Sequence, residues 1–179
     1  MTYNSQQSDD SHGAARSGAQ REATLREWFE NRDLTFIKSQ KDAAIYLGLP
    51  LTKGGNVKAK DKDFIANWLE GRQVFQATGD YAECGFSYFL ADGYVPQWDA
   101  ILELKGGDKN GTTEEKLFFD LMKMEDGCYG DRQVYYIFEG KKEDDKCTLL
   151  FSKRLKALQS RGIATNVTIV KFSEMGSTF

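Results

Sequence analysis

Histidine is almost missing from this chain: a single residue, His12, in 179, and it stands in a polar stretch. A Ser-His-Asp triad and a two-histidine metal site are excluded on that ground. Cysteine is scarce as well. Cys84, Cys128 and Cys147 make an odd count with no CxxC spacing, which speaks against a disulfide framework and against a zinc site. No apolar run comes near the ~20 residues that a membrane helix needs, so no bilayer span and no membrane partner are predicted. No charged, apolar, small-residue leader opens the sequence, and a cytoplasmic location is the expectation. Charge of one sign is lacking too: 24 Lys+Arg face 27 Asp+Glu, a net charge of −3. Any chemistry then falls to carboxylates, lysines and a hard metal.

What is present is a core. At 40% hydrophobic and 13% aromatic residues, the chain can bury a single domain of ordinary size without staples. Residues 1–18 are rich in Ser, Gln, Asp and Gly and read as a flexible polar tail; 19–179 read as one domain. Ala23, Leu25, Trp28 and Phe29 fall near helical spacing and predict a helix over 19–32. Residues 33–38 are a connection or a short strand. Ser39 can cap a second helix through Tyr46, stopped by Gly48 and Pro50. Lysines mark the loop from Lys53 to Lys62. Phe64, Ile65, Trp68 and Leu69 mark a third helix, ended by Gly71.

The middle of the chain reads as sheet. Strands are predicted over 73–77, 83–91 and 98–105, with Asp92-Gly93 as a hairpin turn between the last two, because such a turn needs positive φ at both central positions. After a turn at 106–111, Thr112 and Glu115 stand at capping-box spacing. Leu117, Phe118, Leu121 and Met122 give the apolar face of the helix behind them. A strand over 134–139, a helix over 149–159 and a strand over 166–172 follow. Hairpin-linked strands followed by alternating helix and strand predict an α/β fold, a mixed central sheet flanked by helices.

The segment that carries chemistry is Glu103-Leu104-Lys105. Residues two apart on a strand face the same side, so Glu103 and Lys105 project together. The carboxylate can bind a hard cation, and the lysine can orient a water or offset charge on a phosphate. The tripeptide alone is equally the mark of a solvated ion pair. A metal needs a second acid. Asp99, on the same strand, is ~13 Å from residue 103 at the usual rise. The hairpin register places Glu83 across from Glu103, with Asp80 in reserve. The first ligand therefore stays open among Glu83, Asp80 and Asp99.

An αβββαβ order with an acid on the second strand and Glu-x-Lys on the third resembles the PD-(D/E)XK nuclease superfamily. EcoRI-like type II restriction endonucleases are the nearer likeness within it. In those enzymes a Gly-Asn-Ala-x-Glu-Arg stretch follows at the start of a base-reading helix, and then a strand ends in Glu-Gly. Here Gly111-Thr112-Thr113-Glu114-Glu115-Lys116 and Tyr136-Ile137-Phe138-Glu139-Gly140 stand in those places. The resemblance covers roughly 80–140, with a weaker match at Ser17-Gly18-Ala19 and Glu22. Ala82-Glu83 stands where the family has Pro-Asp.

The resemblance implies hydrolysis of phosphodiester bonds in double-stranded DNA at a short, specific, palindromic site cut by a homodimer, with Mg²⁺ as the cofactor. Glu83 and Glu103, with the Leu104 carbonyl, would hold the ion; Lys105 and Asp99 complete the catalytic set, and Glu22 and Asp80 would support it. Lys109, Asn110, Thr112, Glu115 and Lys116 fall where the family reads DNA. Glu115 also serves simply as a helix-start acid. Lys58 and Lys60 could meet the phosphate backbone, although Asp61 and Asp63 interleave with the lysines of that loop. Gly106-Gly107 lacks the Gly-Lys-Ser/Thr of a P-loop, so no nucleotide cofactor is expected. Another nuclease of the same fold, such as a Holliday-junction resolvase or a nicking or repair enzyme, and a catalytically silent DNA-binding relative are the alternatives.

Overall fold

The computed structural model of the chain describes residues 20, 22–106 and 112–179, and of 112–114 the backbone alone. The predicted tail, Lys109 and Asn110 lie outside the described residues. Helix α1 (22–30) buries Leu25 and Phe29, four residues apart and so on one face. Helix α2 (Gln40–Tyr46) starts at the Ser39 cap. The Ser39 hydroxyl accepts from the Asp42 N–H, while the Asp42 carboxylate accepts from the Ser39 N–H at 2.9 Å. Helix α3 (Lys62–Gln73) runs two residues past Gly71, because the buried Gln73 amide donates to the Ile37 carbonyl at 2.6 Å.

Strand β1 (Val74–Gln76) follows, and then the first departure from the sequence reading. Residues Gly79–Glu83 form a short helix, α4, not the start of a strand. Its first turn is held from 45 residues away: the Asp126 carboxylate accepts from the Tyr81 N–H at 3.0 Å, and the Thr78 hydroxyl donates to the Asp126 carbonyl at 2.6 Å. Strand β2 (Tyr88–Leu90) pairs antiparallel with β1, so these two make a sheet of their own.

The main sheet is built from β3 (Gly93–Val95), β4 (Ala100–Gly106), β5 (Gln133–Glu139) and β6 (Val167–Lys171), in that order. The β3–β4 pair is antiparallel and the other two are parallel. Helices α5 (Thr112–Glu125) and α6 (Lys146–Gln159) make the two parallel crossovers, and α7 (Met175–Thr178) ends the chain. The fold is therefore α/β with a mixed sheet, as expected. The residues before β3 touch its edge at one antiparallel bridge, Ile37 to Tyr94, with reciprocal N–H···O=C bonds of 2.9 Å.

The hairpin turn is not Asp92-Gly93. The Ala91 N–H still serves the smaller sheet, donating to the Gln73 carbonyl at 2.9 Å, so 91–92 is the passage between sheets. The reversal lies at Pro96–Asp99. Proline fixes φ there and needs no donor, and Asp99 takes the left-handed conformation at φ 45°.

Strand alternation then sorts the two faces of the sheet. Leu102 and Ile137 point to the side covered by α1 and α7, packing with Leu25, Phe29 and Met175. Ile101, Tyr136 and Phe138 point to the side of α5 and α6, packing with Leu117, Phe151 and Leu155. Glu103 and Lys105 share the parity of Ile101 and so lie under α5. No helix among the described residues is long and apolar enough to cross a membrane.

Candidate active site

The β3–β4 register pairs Gly93 with Leu102. One step further along that ladder stands Asp92 beside Glu103. The Asp92 carboxylate accepts from the Leu104 N–H at 2.8 Å, which ties it to the Glu-x-Lys strand itself. Asp92 therefore takes the place that the sequence reading gave to Glu83. From above, α5 contributes Asp120, with Lys116 and Lys123 four residues before and three after it, on the same helix face. These side chains border one cavity of about 410 Å³ that also reaches Leu104 and Phe119.

Within it, charges are tightly paired. The Lys105 ammonium sits 3.1 Å from Glu103 Oε2 and 3.0 Å from Asp120 Oδ2. Asp120 Oδ1 accepts from Lys123 at 3.0 Å. Asp120 Oδ2 is buried and makes no hydrogen bond; its contact with Lys105 is an ion pair without hydrogen-bond geometry. Glu103 Oε1 accepts from the Tyr129 hydroxyl at 3.2 Å, and Tyr129 and Tyr136 share a hydrogen bond of 2.6 Å. The Tyr136 ring also faces the Lys105 ammonium at 5.3 Å.

Burial, with Glu103 at 4% exposure, pushes its carboxyl up to about 7; Lys105 opposes this, and the charges of Asp92 and Asp120 add to it. Burial alone would lower the Lys105 ammonium, but Glu103, Asp120 and Asp92 outweigh it and hold the lysine charged. The site is thus a buried cluster of acids held together by the Lys105 and Lys123 ammoniums.

The other sequence candidates fall elsewhere. Glu83 is exposed at the end of α4 and has no place in the β3–β4 ladder, because the reversal at Pro96–Asp99 sets Asp92 opposite Glu103. Asp80 is exposed in the first turn of α4. Asp99 lies at the far end of β4, where it accepts from the Tyr94 hydroxyl at 2.8 Å and pairs with Arg132 at 3.3 Å. Glu22, on α1, pairs with Arg26 of the same helix and with Lys38 just before α2. Lys58 is half-buried and Lys60 exposed around a short turn before α3. Glu115 and Lys116 are exposed in the first turn of α5, and of these Lys116 borders the cavity. Thr112 opens the same helix.

Two acids escaped the sequence reading. Asp92 reads in the sequence as half of an Asp-Gly turn. Asp120 had a signal: it falls at the spacing of Leu117 and Met124, and all three are buried, so an acid stands on the apolar face of α5.

Asp92, Glu103 and Asp120 are hard oxygen donors of the kind that Mg²⁺ takes. Among the described residues, no three His, Cys, Asp or Glu side chains lie close enough together to form a ready-made metal cage. Glu103 Oε2 and Asp120 Oδ2, the latter without a hydrogen bond, already hold one cation between them, the Lys105 ammonium. Comparison with family models, with curated proteins and with solved structures returned no match to this chain.

Proposed function

We propose that this chain is a Mg²⁺-dependent endonuclease that hydrolyses phosphodiester bonds in duplex DNA at a short site, acting as a homodimer of restriction type in the cytoplasm. The observation that carries the reading is the convergence of Asp92 with Glu103-Leu104-Lys105 at one end of the sheet, under α5. With the Ile37 bridge counted as an edge strand, and the intervening elements from α2 to β2 taken as an insertion, α1, bridge, β3, β4, α5 and β5 can be aligned with the αβββαβ order of the nucleases that the sequence resembles. Ala91-Asp92 then stands for that family's Pro-Asp, in place of Ala82-Glu83.

Asp92 and Glu103 would hold Mg²⁺, which supplies polarisation of the phosphate and a bound water of lowered pKa. Lys105 positions that water and offsets negative charge as it develops on the phosphate. Lys123 and the exposed Lys116 give the cavity rim the positive charge that a phosphate backbone requires. A net charge of −3 does not oppose this, because DNA binding depends on where the lysines lie.

The test is incubation of a long sequenced duplex with Mg²⁺, followed by mapping of fragment ends. Discrete ends are expected, and Asp92→Asn, Glu103→Gln and Lys105→Ala should each lower cleavage by about 10²-fold or more. Glu83→Gln and Asp99→Asn should cleave normally. Cutting confined to a four-way junction would replace the restriction reading with resolvase activity. Near-native cleavage by the Glu103 or Lys105 variants would overturn the nuclease reading altogether.

A further inference from the structure

We infer that Asp120 is the third carboxylate of this site, and that a divalent cation enters between Asp120 and Glu103 by displacing the Lys105 ammonium that bridges them. This rests on the metal-dependent reading above and adds a residue and a step to it. Each of the two acids has one oxygen committed to a fixed donor: Glu103 Oε1 to Tyr129, and Asp120 Oδ1 to Lys123. Each turns its other oxygen to the same ammonium, at 3.1 and 3.0 Å. Asp120 is only 2% exposed, and its Oδ2 makes no hydrogen bond.

That arrangement is two monodentate carboxylates around one cation. The Lys105 ammonium bridges the two, Lys123 serves only the far oxygen of Asp120, and Asp92 borders the same cavity. A divalent ion would bring twice the charge and draw each oxygen in by about 1 Å, since Mg²⁺ binds oxygen at roughly 2.1 Å. Lys105 can yield its place. Its flexible four-carbon stem leaves from the end of β4, next to the exposed Gly106, and opens on the cavity. Once displaced, the ammonium is free to meet a phosphate, so cation entry and arming of the lysine become one event.

Two measurements test this. In ¹⁵N-labelled protein, the Lys105 ammonium should give a resolved side-chain signal, assigned by its loss in Lys105→Gln, and Mg²⁺ should move it. By calorimetry, Asp120→Asn should weaken Mg²⁺ binding about tenfold or more, because ligand charge sets affinity. Lys105→Gln should tighten it several-fold, since the competing cation is gone.

If Mg²⁺ binds and Asp92→Asn weakens it, while Asp120→Asn and Lys105→Gln change nothing and the Lys105 signal stays still, the inference is overturned and the nuclease reading stands. If neither Mg²⁺ nor Mn²⁺ binds saturably, both are overturned. Should a variant fail to fold, the response of the wild-type Lys105 signal decides.

Discussion

The Tyr129 hydroxyl has one proton, and it is donated in a hydrogen bond to Glu103. The 2.6 Å contact with Tyr136 must then be a bond that Tyr136 donates. Two buried phenols, both raised by burial and so kept protonated, stand behind the carboxylate. Tyr129→Phe keeps the ring, which packs edge-on against Phe75 and Phe89, but strips a buried carboxylate of a donor. The expected cost is about 1–3 kcal/mol in urea unfolding. Mg²⁺ affinity should drop by about 10-fold or more, as when a partner behind a metal ligand is lost. Gly93, beside Asp92, is constrained differently. A Cβ there would lie 2.1 Å from the Phe36 ring, so Gly93→Ala should cost about 1–3 kcal/mol through overpacking. Urea midpoints equal to wild type would refute both.

At the scale of elements, α1 and α2 are joined through one carboxylate. Asp42 completes the α2 capping box, accepts from the Lys38 N–H at 3.1 Å and pairs with Arg26 at 3.0 Å. Burial would raise its pKa, but Arg26, the Lys38 N–H and Ser39 together hold it below its ordinary 3.8. A lowered carboxylate contributes stability above its unfolded value, and that stability is lost as pH falls through the folded one. Asp42→Asn should therefore cost about 1–2 kcal/mol at neutral pH, from the lost cap and charged bond. The gap to wild type should shrink under more acidic conditions, below the ordinary Asp value. Unfolding curves of both proteins at neutral and strongly acidic pH check this; a constant gap would contradict it.

Across the whole molecule, the site draws on stability to hold its charges. The Glu103 value of about 7 lies above its ordinary 4.5, so the folded chain keeps a proton that the unfolded chain releases between those values. Stability contributed by this group is present below the unfolded value and declines as pH rises through that window. Mg²⁺ held at Glu103, as proposed, would compete with the same proton. The rise in Tm on adding Mg²⁺ should be larger at about pH 8 than at about pH 5. An equal rise at both would place the ion away from Glu103.

Periodicity alone determined much of this chain. The Ser39-capped helix, the apolar faces of α5 and α6, the run that became β5 and the shared face of Glu103 and Lys105 are all local consequences of residue spacing. Having one histidine and no CxxC narrowed any candidate site to carboxylates and lysines. Only the tertiary structure decided which acid meets Glu103, because strand pairing is non-local and Asp-Gly suits a turn as well as a strand entrance. The reversal at Pro96–Asp99 set Asp92 rather than Glu83 beside Glu103, and residues 79–83 form a helix whose first turn bonds to the distant Asp126 carboxylate. Packing of α5 across the sheet delivered Asp120 to Lys105, a meeting of side chains fifteen residues apart that neither segment's own pattern encodes.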